Sequence, residues 1–175
     1  MDPQQQDYSL TLYHLLKTLD KTRLVVGNDG WEMTKSDLCA IHCYDHGNSG
    51  EEKKIARFEK QFATLEDMLQ IRPGGRSLYA NGFEYGGEPI VVSECGGVSF
   101  ACEKESGWGY TQVSGQEEFI ATYLRIVNTI FASGHVCGYC YTQLTDVEQE
   151  INGLLTADRR FKVDAGAIKA LNDGL

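Results

Sequence analysis

A chain of 175 residues is long enough for one domain with its own core, spanning 1–175, and nothing in it suggests a second. The formal net charge is −9 and no basic cluster is longer than Lys53-Lys54 or Arg159-Arg160, which argues against nucleic acid or an anionic membrane as partner and favours a neutral substrate. The start MDPQQQDYSL is not a basic stretch followed by an apolar run, and no run of about 18 apolar residues occurs, so neither signal peptide nor membrane span is expected and the chain reads as soluble and cytoplasmic.

Residues 7–19 (DYSLTLYHLLKTL) set Leu12, Leu15, Leu16 and Leu19 on one helical stripe with Tyr8 a turn earlier, the pattern of an amphipathic helix. LVVG at 24–27 reads as a short buried strand and leads into the polar cluster Asn28-Asp29-Gly30-Trp31-Glu32. A second strand is expected over 38–44 (LCAIHCY), ending in Tyr44-Asp45-His46. Residues 51–70 fit one helix with Ile55, Phe58, Phe62, Leu65 and Leu69 inward and Glu51, Glu52, Lys53 and Lys54 on a solvated face. RPGG at 72–75 breaks it.

The segment PIVVSECGG, 89–97, is the most informative in the chain. Ile90, Val91 and Val92 form the continuous apolar run of a strand buried on both faces, and Gly96-Gly97 turns the chain directly afterwards, leaving the ionisable Glu94 at the strand's end. In barrels of parallel strands, catalytic side chains cluster at that end. The competing reading is a solvated strand-end glutamate. A long loop with Trp108-Gly109-Tyr110 follows, then a helix over 116–132 on Phe119, Tyr123, Ile126, Val127 and Ile130, closed by Ser133-Gly134. Strand 136–142 (VCGYCYT) leads to a loop holding Gln143, Asp146, Glu148, Gln149, Glu150 and Asn152, and a short helix over 164–172 with Asp164 as its cap ends the chain.

Four strands separated by loops and helices imply parallel strands with right-handed crossovers, hence an α/β fold. A complete eight-unit barrel needs about 250 residues, so the count comes near half a barrel. The six cysteines, Cys39, Cys43, Cys95, Cys102, Cys137 and Cys140, lie mostly in or beside buried strands, as free thiols used as small core residues do. Cys39, His42, Cys43 and His46, or the pair Cys137 and Cys140, could suggest a metal. On strands, however, residues three apart point to opposite faces, so no metal and no cofactor is expected.

The segments GNDGWE (27–32), IHCY (41–44), EPIVVSECGG (88–97), GWGY (107–110) and GYCYTQLTDVEQEINGLLTADRR (138–160) occur in the order found in glycoside hydrolase family 2, the group of β-galactosidases, β-glucuronidases and β-mannosidases. The chain resembles the C-terminal half of that family's catalytic TIM barrel, a (β/α) half-barrel corresponding to roughly strands five to eight. The resemblance implies retaining hydrolysis of β-glycosides by two carboxylates. Glu94 matches the nucleophile, and Tyr44 matches the tyrosine that hydrogen-bonds it and favours its charged form. Asn28, Asp29, Trp31 and His42 are placed on the substrate side. Trp108 and Tyr110 are expected as exposed aromatics at the pocket, with Gln143 and Asp146 closing it. Tyr44 and Trp31 could equally be packing residues.

Three departures stand out. The family commonly has an aromatic residue where Cys95 stands and an acidic one where Cys43 stands. Its acid/base glutamate sits in an Asn-Glu pair at the end of the fourth barrel strand, and no Asn-Glu dipeptide occurs in this sequence, which implies that the chain begins around the helix after that strand. Two readings follow. In one, the chain supplies the nucleophile half of a β-glycosidase, acting on a β-glycoside or oligosaccharide, and another polypeptide carries the N-terminal half-barrel. In the other it is a catalytically inactive remnant, a carbohydrate-binding or self-associating half-barrel, with a homodimer as the expected associated form. A thiol or metal site is the third and weakest reading.

Overall fold

The computed structural model describes residues 1–100 and 107–174, so that Cys102 lies outside the described residues. It is a mixed α/β structure with small parallel sheets. Helix α1, Pro3–Leu19, begins earlier than the leucine pattern suggested because Asp2 and Gln5 form a reciprocal capping box and Pro3 opens the first turn. Its leucine stripe is the uncovered side of the helix. Tyr8, Leu12, Leu15, Leu16 and Leu19 are exposed, while Ser9 and Tyr13 are buried. The buried side is fastened by polar contacts: Ser9 Oγ to Thr34 Oγ1 at 2.8 Å, and the Tyr13 hydroxyl to Asp37 Oδ1 at 2.7 Å.

The expected strand at 24–27 does not form. The Val25 N–H donates to the Asp37 carboxylate at 2.8 Å and its carbonyl accepts from the Asp37 N–H at 2.9 Å, so a single residue satisfies the backbone groups a ladder would need. Leu24 is exposed. Three longer strands do pair: β1 (Cys39–Cys43), β2 (Ile90–Gly96) and, last in the chain, Val136–Thr142, here β5, all parallel with β2 in the middle. Two short strands, β3 (Val98–Ser99) and β4 (Thr111–Gln112), make a separate parallel pair.

The single helix expected over 51–70 is two, α2 (Glu52–Gln61) and α3 (Leu65–Leu69). Thr64 accepts from the Asp67 N–H at 3.1 Å and so caps a new start. Helix α4 (Gln116–Phe131) buries Phe119, Tyr123, Ile126, Val127 and Ile130, the residues its periodicity assigned inward. Each such side chain contributes about 1.5–3 kcal/mol on leaving water. With Phe58, Phe62 and Met68 they close over Cys39, Ile41, Ile90, Val92 and Cys95, the helix-covered side of the sheet. Asp164 caps α5 (Ala165–Asp173), accepting from the Ala167 N–H at 2.7 Å. Among the described residues no helix is long and apolar enough to cross a membrane.

Candidate active site

Simple alternation along β2 would put Glu94 on the face of Ile90 and Val92, beneath the helices. The pairing prevents this. From Ala40 to His42 on β1 is two steps, whereas from Val91 to Glu94, their partners on β2, is three. On the other side, Val92 to Cys95 is three steps and their partners Tyr139 to Tyr141 are two apart. β2 therefore carries one extra residue against both neighbours, a bulge at Ser93-Glu94 that inverts the side-chain parity. Ser93 and Glu94 are both half-buried, and Cys95 returns to full burial.

Glu94, with 39% of its side chain exposed, lines a cavity of about 600 Å3 together with Trp31, His42, Tyr44, Arg57 and Tyr110. Tyr44, just past β1, donates its hydroxyl to Glu94 Oε2 at 2.7 Å. Burial and the adjoining carboxylate raise the Tyr44 phenol above its ordinary value, so it remains a proton donor into alkaline pH. Tyr110 stacks on Tyr44 with centroids 3.9 Å apart and planes 11° from parallel, and Trp108 meets Tyr110 edge-on at 5.7 Å. Tyr44 and Tyr110 form a wall beside the carboxylate, whereas Trp108 is not among the residues lining the cavity and reaches it only through Tyr110. Gly109 lets the wall approach the sheet, since a Cβ there would lie 2.6 Å from the Ser99 side chain. The Trp108 backbone is tied to the loop after β5 through Gln149 and Ile151.

His42 is the register partner of Glu94. Its Nδ1 lies 3.2 Å from Glu94 Oε2, and its Nε2 is hydrogen-bonded to Asp29 Oδ2 at 3.0 Å. Asp29 Oδ1 in turn accepts from the Ser93 hydroxyl at 2.6 Å. The expected substrate-side residues Asp29 and His42 thus form a chain ending on the carboxylate. Asp29, His42 and Glu94 each offer one atom within 4.8 Å of the others, the spacing of a cation site. In the contacts present, each imidazole nitrogen faces a different carboxylate, so that His42 bridges Asp29 and Glu94 directly.

The other expected residues divide. Trp31 lines the Glu94 cavity and sets its edge against His42, with ring centroids 5.0 Å apart. Asn28 does not reach that cavity: its amide donates to the Trp31 carbonyl at 2.6 Å and it borders a second hollow beside α1. Gln143 and Asp146 are likewise not among the residues lining the Glu94 cavity. Gln143 Nε2 is buried without a hydrogen-bond partner among the described residues. Asp146 is buried and bound to the Lys162 ammonium at 3.0 Å through both oxygens, while the Gly153 N–H donates to Oδ1 at 2.8 Å.

Sequence reasoning passed over a basic rim. Lys54, Arg57 and Arg72 line the same cavity as Glu94. The charged start of α2, read as a wet face, places Lys54 and Arg57 three residues apart on one side of the helix. Arg57 pairs with Asp45 and Lys54 with Glu51. His46 is buried with its Nε2 at 2.5 Å from the Gly96 carbonyl, and burial lowers its pKa, so the neutral ring braces the β1 exit against the β2 turn. Burial pushes the Cys39 thiol up to about 11 and Cys43 up to about 12, and raises Cys95 as well, leaving these thiols protonated and poor nucleophiles.

No protein-family model matches this sequence, and no curated protein does. Solved structures do match it. A GH2 β-galacturonidase from Eisenbergiella tayi aligns at 12% identity over 97% of this chain with a TM-score of 0.60. A β-glucuronidase from Bifidobacterium dentium aligns at 20% identity over 96% with a TM-score of 0.59, and an exo-β-agarase at 10% identity over 97% with a TM-score of 0.63. The chain spans 30%, 27% and 22% of those proteins' lengths. At such identities the likeness is one of fold, and the fold it relates this chain to is that of glycoside hydrolases.

Proposed function

We propose that this chain is the nucleophile-bearing part of a retaining β-glycosidase, corresponding to the second half of a TIM barrel, with Glu94 as the attacking carboxylate. The observation that carries the reading is the bulge in β2, which turns Glu94 into a sugar-sized cavity where Tyr44 donates to it and aromatic rings stand beside it. Tyr44 supports the ionised form needed for attack. Trp31 and Tyr110 offer apolar faces to the C–H side of a sugar, and Lys54, Arg57 and Arg72 offer donors at the rim. The second carboxyl group, which protonates the leaving oxygen, would come from the barrel half that these residues do not contain, for which the exposed Tyr8, Leu12, Leu15, Leu16 and Leu19 of α1 provide an apolar docking face.

The test exploits that division. A 2-deoxy-2-fluoro aryl glycoside with a very good leaving group hardly needs protonation: the Glu94 oxygen forms the bond to the anomeric carbon and the aryloxide departs with its bonding pair. Mass spectrometry should find one sugar added at Glu94, absent from Glu94→Gln. Galactosyl, glucosyl, glucuronyl, galacturonyl and mannosyl reagents cover the sugar choice. On ordinary glycosides the isolated chain should be slower by about 10² to 10⁴ for lack of an acid. No label with any reagent would leave the second reading, an inactive half-barrel that binds sugar or associates with itself, which native mass and sugar titration would then measure.

A further inference from the structure

The carboxylate of Glu94 is engaged asymmetrically. Oε2 takes the Tyr44 hydroxyl at 2.7 Å and faces His42 Nδ1 at 3.2 Å, whereas among the described residues Oε1 takes no hydrogen bond or ion pair. His42 itself has little freedom. Its side chain is 11% exposed, the edge of Trp31 stands against the ring, and Gly30 approaches so closely that an added Cβ would lie 2.4 Å from Cγ and Cδ2. Behind it, Asp29 holds Nε2 at 3.0 Å and is itself held by Ser93, the residue that the β2 bulge brings to the same side as Glu94.

We propose that His42, backed by Asp29, is a positioning residue that clamps Glu94 through Oε2 and so selects Oε1 as the oxygen that attacks the anomeric carbon. The inference rests on the reading of Glu94 as nucleophile. A glutamate has three side-chain torsions, and attack requires one carboxylate oxygen aligned with the breaking bond. With the ring protonated, so that Nε2–H meets Asp29 and Nδ1–H meets Glu94, the ion-pair contact at 3.2 Å and the Tyr44 hydrogen bond converge on Oε2 and leave the second oxygen unencumbered. The clamp is assembled from the bulge itself: Ser93 orients Asp29, Asp29 fixes the ring of His42, and His42 meets Glu94. Tyr44 completes it from the β1 exit.

The shape of imidazole supplies a discriminating pair of variants. The amide nitrogen of asparagine falls near the position of Nδ1, and that of glutamine near Nε2. His42→Asn therefore keeps a donor toward Glu94 and loses Asp29, whereas His42→Gln keeps Asp29 and loses Glu94. The rate of Glu94 labelling by the 2-deoxy-2-fluoro aryl glycoside is measured for wild type, His42→Asn, His42→Gln and Asp29→Asn, with each melting temperature determined alongside and each reaction repeated with EDTA.

A contact to a charged group of about 1.5–3 kcal/mol corresponds to about 10- to 100-fold in rate. His42→Gln is expected to fall by that factor, His42→Asn to stay within about 3-fold of wild type, and Asp29→Asn to lie between. Equal rates for the two His42 variants, or losses that merely follow melting temperature, would overturn the clamp. Loss of labelling on adding EDTA would also overturn it, in favour of a bound cation. A readout in wild type guards against variants that fail to fold: on labelling, Glu94 loses its charge, so the 15N resonance of His42 Nδ1 should move more than that of Nε2. A stationary Nδ1 resonance sinks the proposal. Absence of label in wild type overturns the nucleophile reading and the clamp together, whereas label with indifferent His42 variants overturns the clamp alone.

Discussion

Asp146→Asn separates a structural carboxylate from a sugar-binding one. The side chains of Asp146 and Lys162 are 5% and 1% exposed, and the ammonium is satisfied by both carboxylate oxygens at 3.0 Å and by the Ile151 carbonyl at 2.7 Å. It also lies 5.3 Å from the centre of the Phe100 ring. Neutralising the aspartate leaves a cation in a dry site, and breaking a buried pair from one side costs about 3–5 kcal/mol. For a chain of this length each kcal/mol moves the melting temperature by about 2–4 °C, so the drop should be about 6–20 °C. Lys162→Met should cost a similar amount. Asp146→Leu combined with Lys162→Met should cost less than the two single changes added, because no charge is then left unpaired. Thermal unfolding followed by circular dichroism measures all of these, and sugar titration measures the alternative role. If Asp146→Asn melted within about 1 °C of wild type yet lost sugar affinity, the structural assignment would be wrong.

Other perturbations probe the remaining parts of the molecule. Tyr44→Phe removes the 2.7 Å donor to Glu94 while keeping the ring stacked on Tyr110, and should slow Glu94 labelling by about 10- to 100-fold with little change in melting temperature; an unchanged rate would show the hydroxyl to be idle. Stability should depend on pH through α1. Burial pushes the Asp37 carboxyl up, but Lys17, Tyr13 and the Val25 N–H together outweigh it and hold the pKa below its ordinary 3.8, so this contribution is present above about pH 4 and is lost as acid takes the pH down through the folded value. The Asp37 hydrogen bond, with burial, raises Tyr13 from 10.0 to about 12, so its contribution is complete below about pH 10 and disappears as pH climbs toward 12. Asp37→Asn should weaken both limbs in pH-dependent melts. Gly30→Ala, at φ +86° and directly against the His42 ring, should reduce labelling more than Gly82→Ala, which has φ +88° but open space around it.

Much of the site could be read from the chain. The apolar run before Glu94 and the paired glycines after it mark a strand end, and Tyr44 one residue beyond β1 was placed beside it through the family resemblance. What could not be read is the parity of Glu94, since a one-residue bulge is a property of three strands in register and leaves no trace in β2 alone. Periodicity likewise showed that the leucines of α1 share a stripe but not whether anything covers that stripe, and the buried side is held by Ser9 and Tyr13 through polar partners far along the chain. Lys162 reaches back sixteen residues to Asp146, a contact that neither spacing nor composition announces. One miss was avoidable: Thr64 followed by Asp67 is a helix-start signal inside the span read as one helix.

The two cysteines beneath the site bear on which groups compete for the donors around Glu94. Cys43 and Cys95 are register partners on adjacent strands, both buried on the helix-covered side, and burial keeps both thiols protonated. In the family this chain resembles, those positions commonly hold an acidic and an aromatic residue. A second carboxylate at position 43 would sit one residue from Tyr44 and compete for the same donors. With a neutral thiol there, position 43 itself carries no charge, and among the described residues Glu94 Oε2 meets Tyr44 and His42. Cys43→Asp offers the converse of the substitution seen in the chain. A new carboxylate at this buried position, beside the Gln61 side chain and the Arg57 guanidinium, should lower the melting temperature, while labelling of the folded fraction falls only if the new group draws Tyr44 or Arg57 away from its present partner. A Cys43→Asp protein that melts lower but labels at the wild-type rate would show that the floor serves packing and that a carboxylate there takes no donor from Glu94.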